Sequence, residues 1–329
     1  MRRPWLLWLT LATIALAAFA LALVSGSVAL SPATVLRALL GQGGEQAEIV
    51  LRLRLPRALA AFGVGGTLAL AGALMQALLR NALAEPYLLG ASGGAAIGAL
   101  LAMLAGAALA WVNLGAALGA ASVMGILLLL ARRDFGDEIA PGGAVRLLLS
   151  GVALAALSGA LVSLILALAP EAQLRGMLFW LLGDLAGVDD SRSAWLALVA
   201  AFAIVYPRAR ALNVLARGDA LAQSLGVNVR SLRLTTFGAA SIATAAAVST
   251  AGTVGFVGLV APHLLRLAIG NDQRVLLPAC VLAGGTLLLL ADTAARTFAA
   301  PLQLPTGAVM SLIGAPLFLV LLWGRGNGR

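Results

Sequence analysis

The sequence predicts an all-α, polytopic membrane protein of about ten transmembrane helices, with the N- and C-termini in the cytoplasm. Three observations carry that prediction. Of 329 residues, 61% are hydrophobic and 11% charged, and the mean hydropathy is +1.01. A soluble domain is roughly one quarter charged. The apolar residues form long runs with charges between them, as expected of helices that satisfy their own backbone groups in lipid. Arginines are shared unequally between alternate loops, as topology requires. One membrane domain over residues 1–329 is the economical organisation.

In chain order, apolar windows lie near residues 5–25, 58–79, 88–106, 109–131, 147–169, 194–206, 234–250, 252–269, 275–295 and 306–323. The first follows Arg2 and Arg3 and resembles a signal peptide, with small residues at Ser25-Gly26-Ser27. Its apolar run of about 20 residues is long enough to span, so it reads as an uncleaved first helix. The second begins with Arg54-Leu-Pro-Arg57 and ends at the polar, helix-breaking Asn81-Ala-Leu-Ala-Glu-Pro86. The third is short and rich in Gly and Ala, which suits close packing inside a bundle. The sixth is expected to continue past Tyr206, and the eighth carries Pro262.

An N-terminus inside, with alternating spans, places 15 of the 22 arginines in the cytoplasm and seven outside. Arg52, Arg54, Arg57, Arg175 and Arg296 are exceptions on the outer side. They read either as snorkelling interfacial anchors or as a basic docking patch for an acidic partner, a role suited to the forked guanidinium. The cytoplasmic segment over residues 207–233 is longer than a bare connector needs. Within it Asp219 marks a helix N-terminus, Leu221, Ala222 and Leu225 follow at helical spacing, and Gly226 closes the element. That pattern reads as a short amphipathic helix, either an interaction surface or a simple interfacial helix.

Several function classes are excluded or left with little support. The sequence contains no lysine, so a Gly-rich phosphate loop with its essential lysine is absent, and any ATP must be hydrolysed by another chain. The net charge of +9 is explained by topology and anionic headgroups, and nucleic acid is not an expected partner. Cys280 is the single cysteine, which precludes an internal disulfide or a cysteine metal cluster. One histidine and one cysteine leave little for an intramembrane enzyme. An ion-coupled secondary transporter is expected to carry intramembrane acids; Asp292 is the sole candidate, and Arg296 stands four residues on as its partner.

The motifs converge on a family. Arg54-Leu-Pro-Arg57, Gly72-Ala-Leu-Met-Gln76, Asn81-Ala-Leu-Ala-Glu-Pro86, Leu89-Gly90, Ser92-Gly-Gly94, Arg146-Leu-Leu-Leu-Ser-Gly151 and Trp180-Leu-Leu-Gly183 occur in order. Gly218-Asp-Ala-Leu-Ala222, Leu225-Gly-Val227, Gly255-Phe-Val-Gly-Leu259, Pro262-His263, Arg266, Leu304-Pro305, Gly307 and Gly314-Ala-Pro316 follow. Together they resemble the iron-chelate and cobalamin (FecCD-type) permeases, the membrane subunits of type II ABC importers for siderophores, heme and corrinoids. Ala82 departs from a usual proline, and Gln303 from a common glutamate.

The resemblance implies ten helices per subunit and a homodimer whose interface forms the pathway, in a bacterial inner membrane. It implies two ATPase subunits, which carry the ATP and Mg²⁺, and a periplasmic substrate-binding protein; this chain is expected to hold no cofactor or metal. It assigns ATPase coupling to Gly218, Asp219, Ala222, Leu225, Gly226 and Val227, and binding-protein docking to Arg54, Arg57 and Arg296. The loop from Gly142 through Gly143, Ala144 and Val145 is expected to form a cytoplasmic gate, or on the residues alone a plain tight connector. Gln173-Leu-Arg175 with Phe179-Trp180 looks most like heme-importing members, Arg175 attracting propionates at the mouth of the pathway. Ferric siderophore and corrinoid remain alternative cargoes. His263 is expected to pack rather than ligate heme, because its motif resembles members with other cargo. Asp184, Asp189 and Asp190 are expected in a solvated loop with local pairing, beside Trp180 and Arg192.

Overall fold

The computed structural model describes residues 4–42, 44–131, 143–188 and 190–323. Helix α1 spans Pro4–Val24. Two short helices follow, α2 (Pro32–Leu39) and α3 (Gly44–Glu48). Ser31 caps α2 by accepting the Thr34 N–H, and Pro32 supplies the preset first-turn backbone angle. A π-helical stretch, Ile49–Arg54, runs into α4, Leu55–Leu78. A second one, Tyr87–Ala91, kinks at Gly90 with φ 89° before α5, Ser92–Leu104. Then come α6 (Leu109–Ala131), α7 (Gly143–Leu168), α8 (Glu171–Leu181) and α9 (Arg192–Val205). A single 3-10 turn leads to α10 (Ala209–Leu215) and α11 (Asp219–Ser224). The chain ends with α12 (Val229–Ala251), α13 (Val257–Ile269), α14 (Gln273–Thr297) and α15 (Thr306–Trp323).

Each of the ten apolar windows coincides with one of these helices. Among the described residues, seven spans are long and apolar enough to cross a membrane, and α5, α13 and α15 are shorter apolar helices. The sixth window does continue past Tyr206, to Leu215. At 1.5 Å per residue, the 13 residues of α5 or α13 cover about 20 Å, short of the ~30 Å hydrocarbon core. Helix α12 begins before its apolar window because Asn228 accepts the Ser231 N–H, capping a first turn that contains Arg230.

Helix α4 is the axis of the bundle. Its span is 94% buried, against 22% for α1 and 17% for α7. It packs against α14, α12, α13 and α9. Glycines make that closeness possible: a Cβ on Gly65 would collide with the Gly284 carbonyl, and one on Gly72 with the Gly258 carbonyl. Helices α5 and α6 meet the same way through Gly94 with Gly119 and Gly98 with Gly115. Between helices in lipid there is no hydrophobic drive, so close van der Waals contact through small residues carries the association. The outer helices show the converse. Leu9, Leu16, Leu149, Leu157 and Leu164 are exposed apolar side chains, the surface expected of helices solvated by acyl chains.

These contacts make a directional prediction. Gly72→Ala should force α4 and α13 apart and lower the thermal unfolding midpoint of the detergent-solubilised protein by several degrees. Gly159→Ala, where nothing lies within 4 Å of the added carbon, should leave it unchanged or raise it slightly, since alanine is the better helix former by ~1 kcal/mol. Equal effects at both positions would refute the close-packing account.

Candidate functional site

The polar groups gather in three places along the bundle. The first is a cluster around Asp292 in α14, whose carboxylate is fully buried. A buried carboxylate must be paired and hydrogen-bonded or it does not stay charged. Arg57 Nε donates to its Oδ1 at 2.9 Å, Arg296 Nε to its Oδ2 at 3.1 Å, and Thr306 Oγ1 to its Oδ1 at 2.9 Å. Arg57 Nη1 also donates to Gln303 Oε1 at 2.8 Å, and Arg296 Nη2 to the Ala22 carbonyl at 3.2 Å. Arg54 donates from Nη1 to the carbonyls of Leu23 and Val24 at 2.7 and 2.8 Å, and from Nη2 to that of Val28. These last bonds satisfy carbonyls at the open C-terminal end of α1.

Arg54, Arg57 and Arg296 are only 5%, 8% and 7% exposed. The three guanidinium groups expected on the outer face thus lie recessed within the bundle. Asp292 and the end of α1 draw the guanidinium groups inward, and a cavity of about 310 Å³ remains beside them, lined also by Arg52 and Gln303. The Asp292–Arg296 pairing is as the i, i+4 spacing predicts. Arg57, 235 residues away in the chain, is the partner that local reading missed. Its signal was an intramembrane acid with two oxygens to satisfy and one arginine in reach.

Near this cluster, α8 forms at the outer segment that composition left without an element. Pro170 immediately before it and Glu171 in its first turn are readable start signals. Arg175 is exposed on α8 and lies over the Phe179 ring, 5.8 Å from its centroid. Phe179, Trp180, Asp184 and Asp190 line a cavity of about 480 Å³ with Thr250 and Gly252. Asp184 is half-buried and paired both locally and across the bundle. It accepts the Ala186 N–H at 2.9 Å and stands 3.8 Å from Arg57. Asp190 accepts the Arg192 N–H at 2.8 Å in an exposed turn; Asp189 lies outside the described residues.

The second place is the interior face of α13. His263 is 5% exposed and packs edge-on against Phe318, ring centroids 5.7 Å apart. Arg266 donates to Gln76 Oε1, and Gln76 Nε2 donates to the Gly258 carbonyl at 3.2 Å. Glu85, in the turn after α4, is buried against the start of α13. Burial pushes its carboxyl up to about 7, opposed by a hydrogen bond from the Phe256 N–H.

The third place is the segment between α9 and α12. Helix α11 covers Asp219–Ser224, shorter than residues 218–227. Gly218 and Gly226 bound it with φ of 138° and 78°, conformations that glycine alone adopts cheaply. The chain closes after α11 through Gly226 N–H to Gln223 O at 2.8 Å and Val227 N–H to Ala222 O at 2.9 Å. Ala222 is fully buried, whereas Leu221 and Leu225 are 43% and 63% exposed. The carboxylate of Asp219, the first residue of α11, pairs with Arg80, and with Arg233 Nη2 at 2.6 Å. Upstream, Asn213 donates to Asp272 Oδ1 at 2.7 Å and accepts the Gln273 N–H at 2.8 Å, tying α10 to the start of α14. Asp272 is held well below the usual carboxylate range, chiefly by its hydrogen bond from Arg274.

The expected gate residues are placed differently from a loop. Gly143, Ala144 and Val145 begin α7, because the Gly-Ala-Val-Arg sequence continues the helical run N-terminally, and Val145 is exposed. Gly142 lies outside the described residues.

Two predictions come from these environments. Asp292→Asn should leave Arg296 buried without a counter-charge and Arg57 with only its 3.8 Å contact to Asp184, and destabilise the fold by on the order of 3 kcal/mol, read as a lowered unfolding midpoint in detergent. Glu85 makes stability pH-dependent. Its folded value near 7 exceeds the ordinary 4.5, so the folded chain keeps a proton that the unfolded chain releases between those limits. The contribution is full below pH 4.5 and is lost as pH rises through about 7. Glu85→Gln should flatten the fall in unfolding midpoint between about pH 5 and pH 8; an unchanged slope would show that another group titrates.

Comparison with known proteins agrees with this architecture. Residues 14–324 match the FecCD transport family. The vitamin B12 import system permease protein BtuC of Escherichia coli is 40% identical over 283 residues, 84% of each chain. The hemin transport system permease protein HmuU of Yersinia pestis is 40% identical over 282 residues, 84% of this chain and 83% of that one. A solved chain described as a metal-chelate type ABC transporter in an inward-facing conformation has a TM-score of 0.84 at 28% identity, covering 96% of this chain and 98% of that one. A chain of PsaBC from Streptococcus pneumoniae, with a TM-score of 0.58 at 17% identity, shares the fold alone. With its multi-pass helical bundle and this extent of likeness, the chain belongs to the FecCD transport family and is the membrane permease subunit of an ABC transporter, not itself an enzyme.

Proposed function

We propose that this permease forms, as a homodimer, the pathway of an ATP-driven, binding-protein-dependent importer in a bacterial inner membrane, and that its cargo is heme. In this reading all ten apolar helices cross the bilayer and both termini are cytoplasmic. Two ATPase subunits bind at the α10–α11 segment, where exposed Leu221 and Leu225 offer an apolar contact. A periplasmic binding protein docks at the opposite end, presenting acidic residues to the cavity lined by Arg52, Arg54, Arg57 and Arg296. Gly143, Ala144 and Val145, at the start of α7, act at the cytoplasmic gate.

The observation that carries the heme reading is Arg175, exposed on α8 and stacked on Phe179 beside Trp180. A cation over an aromatic surface suits a flat ring with carboxylate arms. Corrinoid import by the same mechanism is the second reading, favoured by the equal 40% identities to the vitamin B12 and hemin permeases. A ferric siderophore is the third cargo class.

The test is uptake into vesicles holding the permease with its ATPase and binding protein, offered hemin, cyanocobalamin or a ferric siderophore in turn. Hemin should accumulate on ATP addition, and Arg175→Ala should slow it about three- to ten-fold, the scale of lost electrostatic steering, with basal ATP hydrolysis unchanged. Arg175→Lys should recover part of the rate. Leu225→Asp should abolish cargo-stimulated hydrolysis while the dimer still assembles. Uptake of cyanocobalamin or siderophore without hemin would overturn the cargo reading and leave the importer reading intact.

A further inference from the structure

Residues 79–86 connect α4 to the π-helical turn before α5, and they join the coupling segment to the membrane interior. Arg80 has φ 49°, a left-handed backbone that costs a non-glycine residue on the order of 1 kcal/mol. Its side chain offsets that cost by bridging two helix ends. Nη2 donates to the Leu215 carbonyl, the last of α10, at 2.7 Å, and to Asp219, the first residue of α11. Arg233, fully buried on α12, holds the other Asp219 oxygen. Asp219 is thus fastened to both the α4 side and the α12 side.

The turn that follows Arg80 is stiff. Asn81 accepts the Leu83 N–H on its side chain at 2.9 Å and the Ala84 N–H on its carbonyl at 3.1 Å, the double closure of an Asx turn. The next residue is Glu85, whose buried carboxyl lies against Gly258 in the first turn of α13. Phe256 caps α13 with φ 69° and no side-chain bond of its own. A short braced turn therefore runs from α11 at one end to the first turn of α13 at the other.

We propose that Arg80 is the positioning residue that carries displacement of α11 into the membrane interior, through the braced 81–85 turn and the Glu85 contact, to the N-terminus of α13. This rests on the coupling role proposed above for α11. Removing Arg80 leaves Asp219 paired with Arg233, so the variant keeps the buried charge compensated and the fold intact.

The experiment is hydrogen–deuterium exchange on the permease–ATPase complex in lipid nanodiscs, with and without ATP, followed in peptides covering α11 and residues 256–260. In the native complex ATP should change exchange about five-fold or more in both regions. In Arg80→Met the change should persist at α11 and vanish at 256–260, while nucleotide-free exchange at 256–260 stays native. Arg80→Lys should restore part of the response. An unaltered ATP response at 256–260 in Arg80→Met overturns the relay, as does a rise in nucleotide-free exchange there, which marks a merely structural brace. Absence of any ATP response at α11 in the native complex overturns the coupling role itself, and the relay with it.

Discussion

Helix α4 is surrounded on nearly every side by other helices, and that requires positions where side chains are absent. Gly65 against Gly284 and Gly72 against Gly258 bring backbones within a distance that any Cβ would break. In lipid, apolar helices gain nothing by merely hiding apolar surface from one another, so shape and close contact decide which helices pair. The order of burial follows, with α4 central and α1 and α7 largely exposed at the periphery of the bundle. The same closeness fixes where polar groups can go. Only positions where helices end or kink leave room for a charge and its partners.

The ionic groups sit at those positions. Asp292 with Arg57 and Arg296 lies where α4, α14 and α15 converge, and Thr306, first residue of α15, adds a hydroxyl. Buried ion pairs of this kind are weak sources of net stability but strong sources of specificity, because any slip of one helix strands a charge. The cluster ties three helices together. It also concentrates positive charge beside a cavity, since Gln303 supplies an uncharged acceptor to Arg57. Positioning and docking are compatible uses of the same arginines: guanidinium groups held in place by one acid lose less freedom when a second acid approaches.

The α10–α11 segment follows the opposite design. It is anchored through Asn213 to the start of α14 and through Asp219 to Arg80 and Arg233, while Leu221 and Leu225 stay exposed. Polar anchors on the bundle side and apolar side chains on the free side are what a contact surface for another protein requires. Glycines at 218 and 226 bound α11 at both ends.

Much of this was legible in the sequence. The ten apolar windows fall on ten helices because the length of an apolar run is a local property, read directly against bilayer thickness. Asp219 and Gly226 marked α11 because helix ends depend on one or two residues nearby. The i, i+4 geometry of a helix paired Asp292 with Arg296. Tertiary structure alone decided the rest. Arg54, Arg57 and Arg296 turn inward because their acceptors, the end of α1 and Asp292, are brought beside them by helix packing. Arg80 meets Asp219 across 139 residues of chain, and Glu85 meets Gly258 where α4 and α13 cross. A sequence pattern specifies that such a charge needs a partner. Which partner it finds depends on which glycine faces allow two backbones to touch, and that is settled only when the bundle closes.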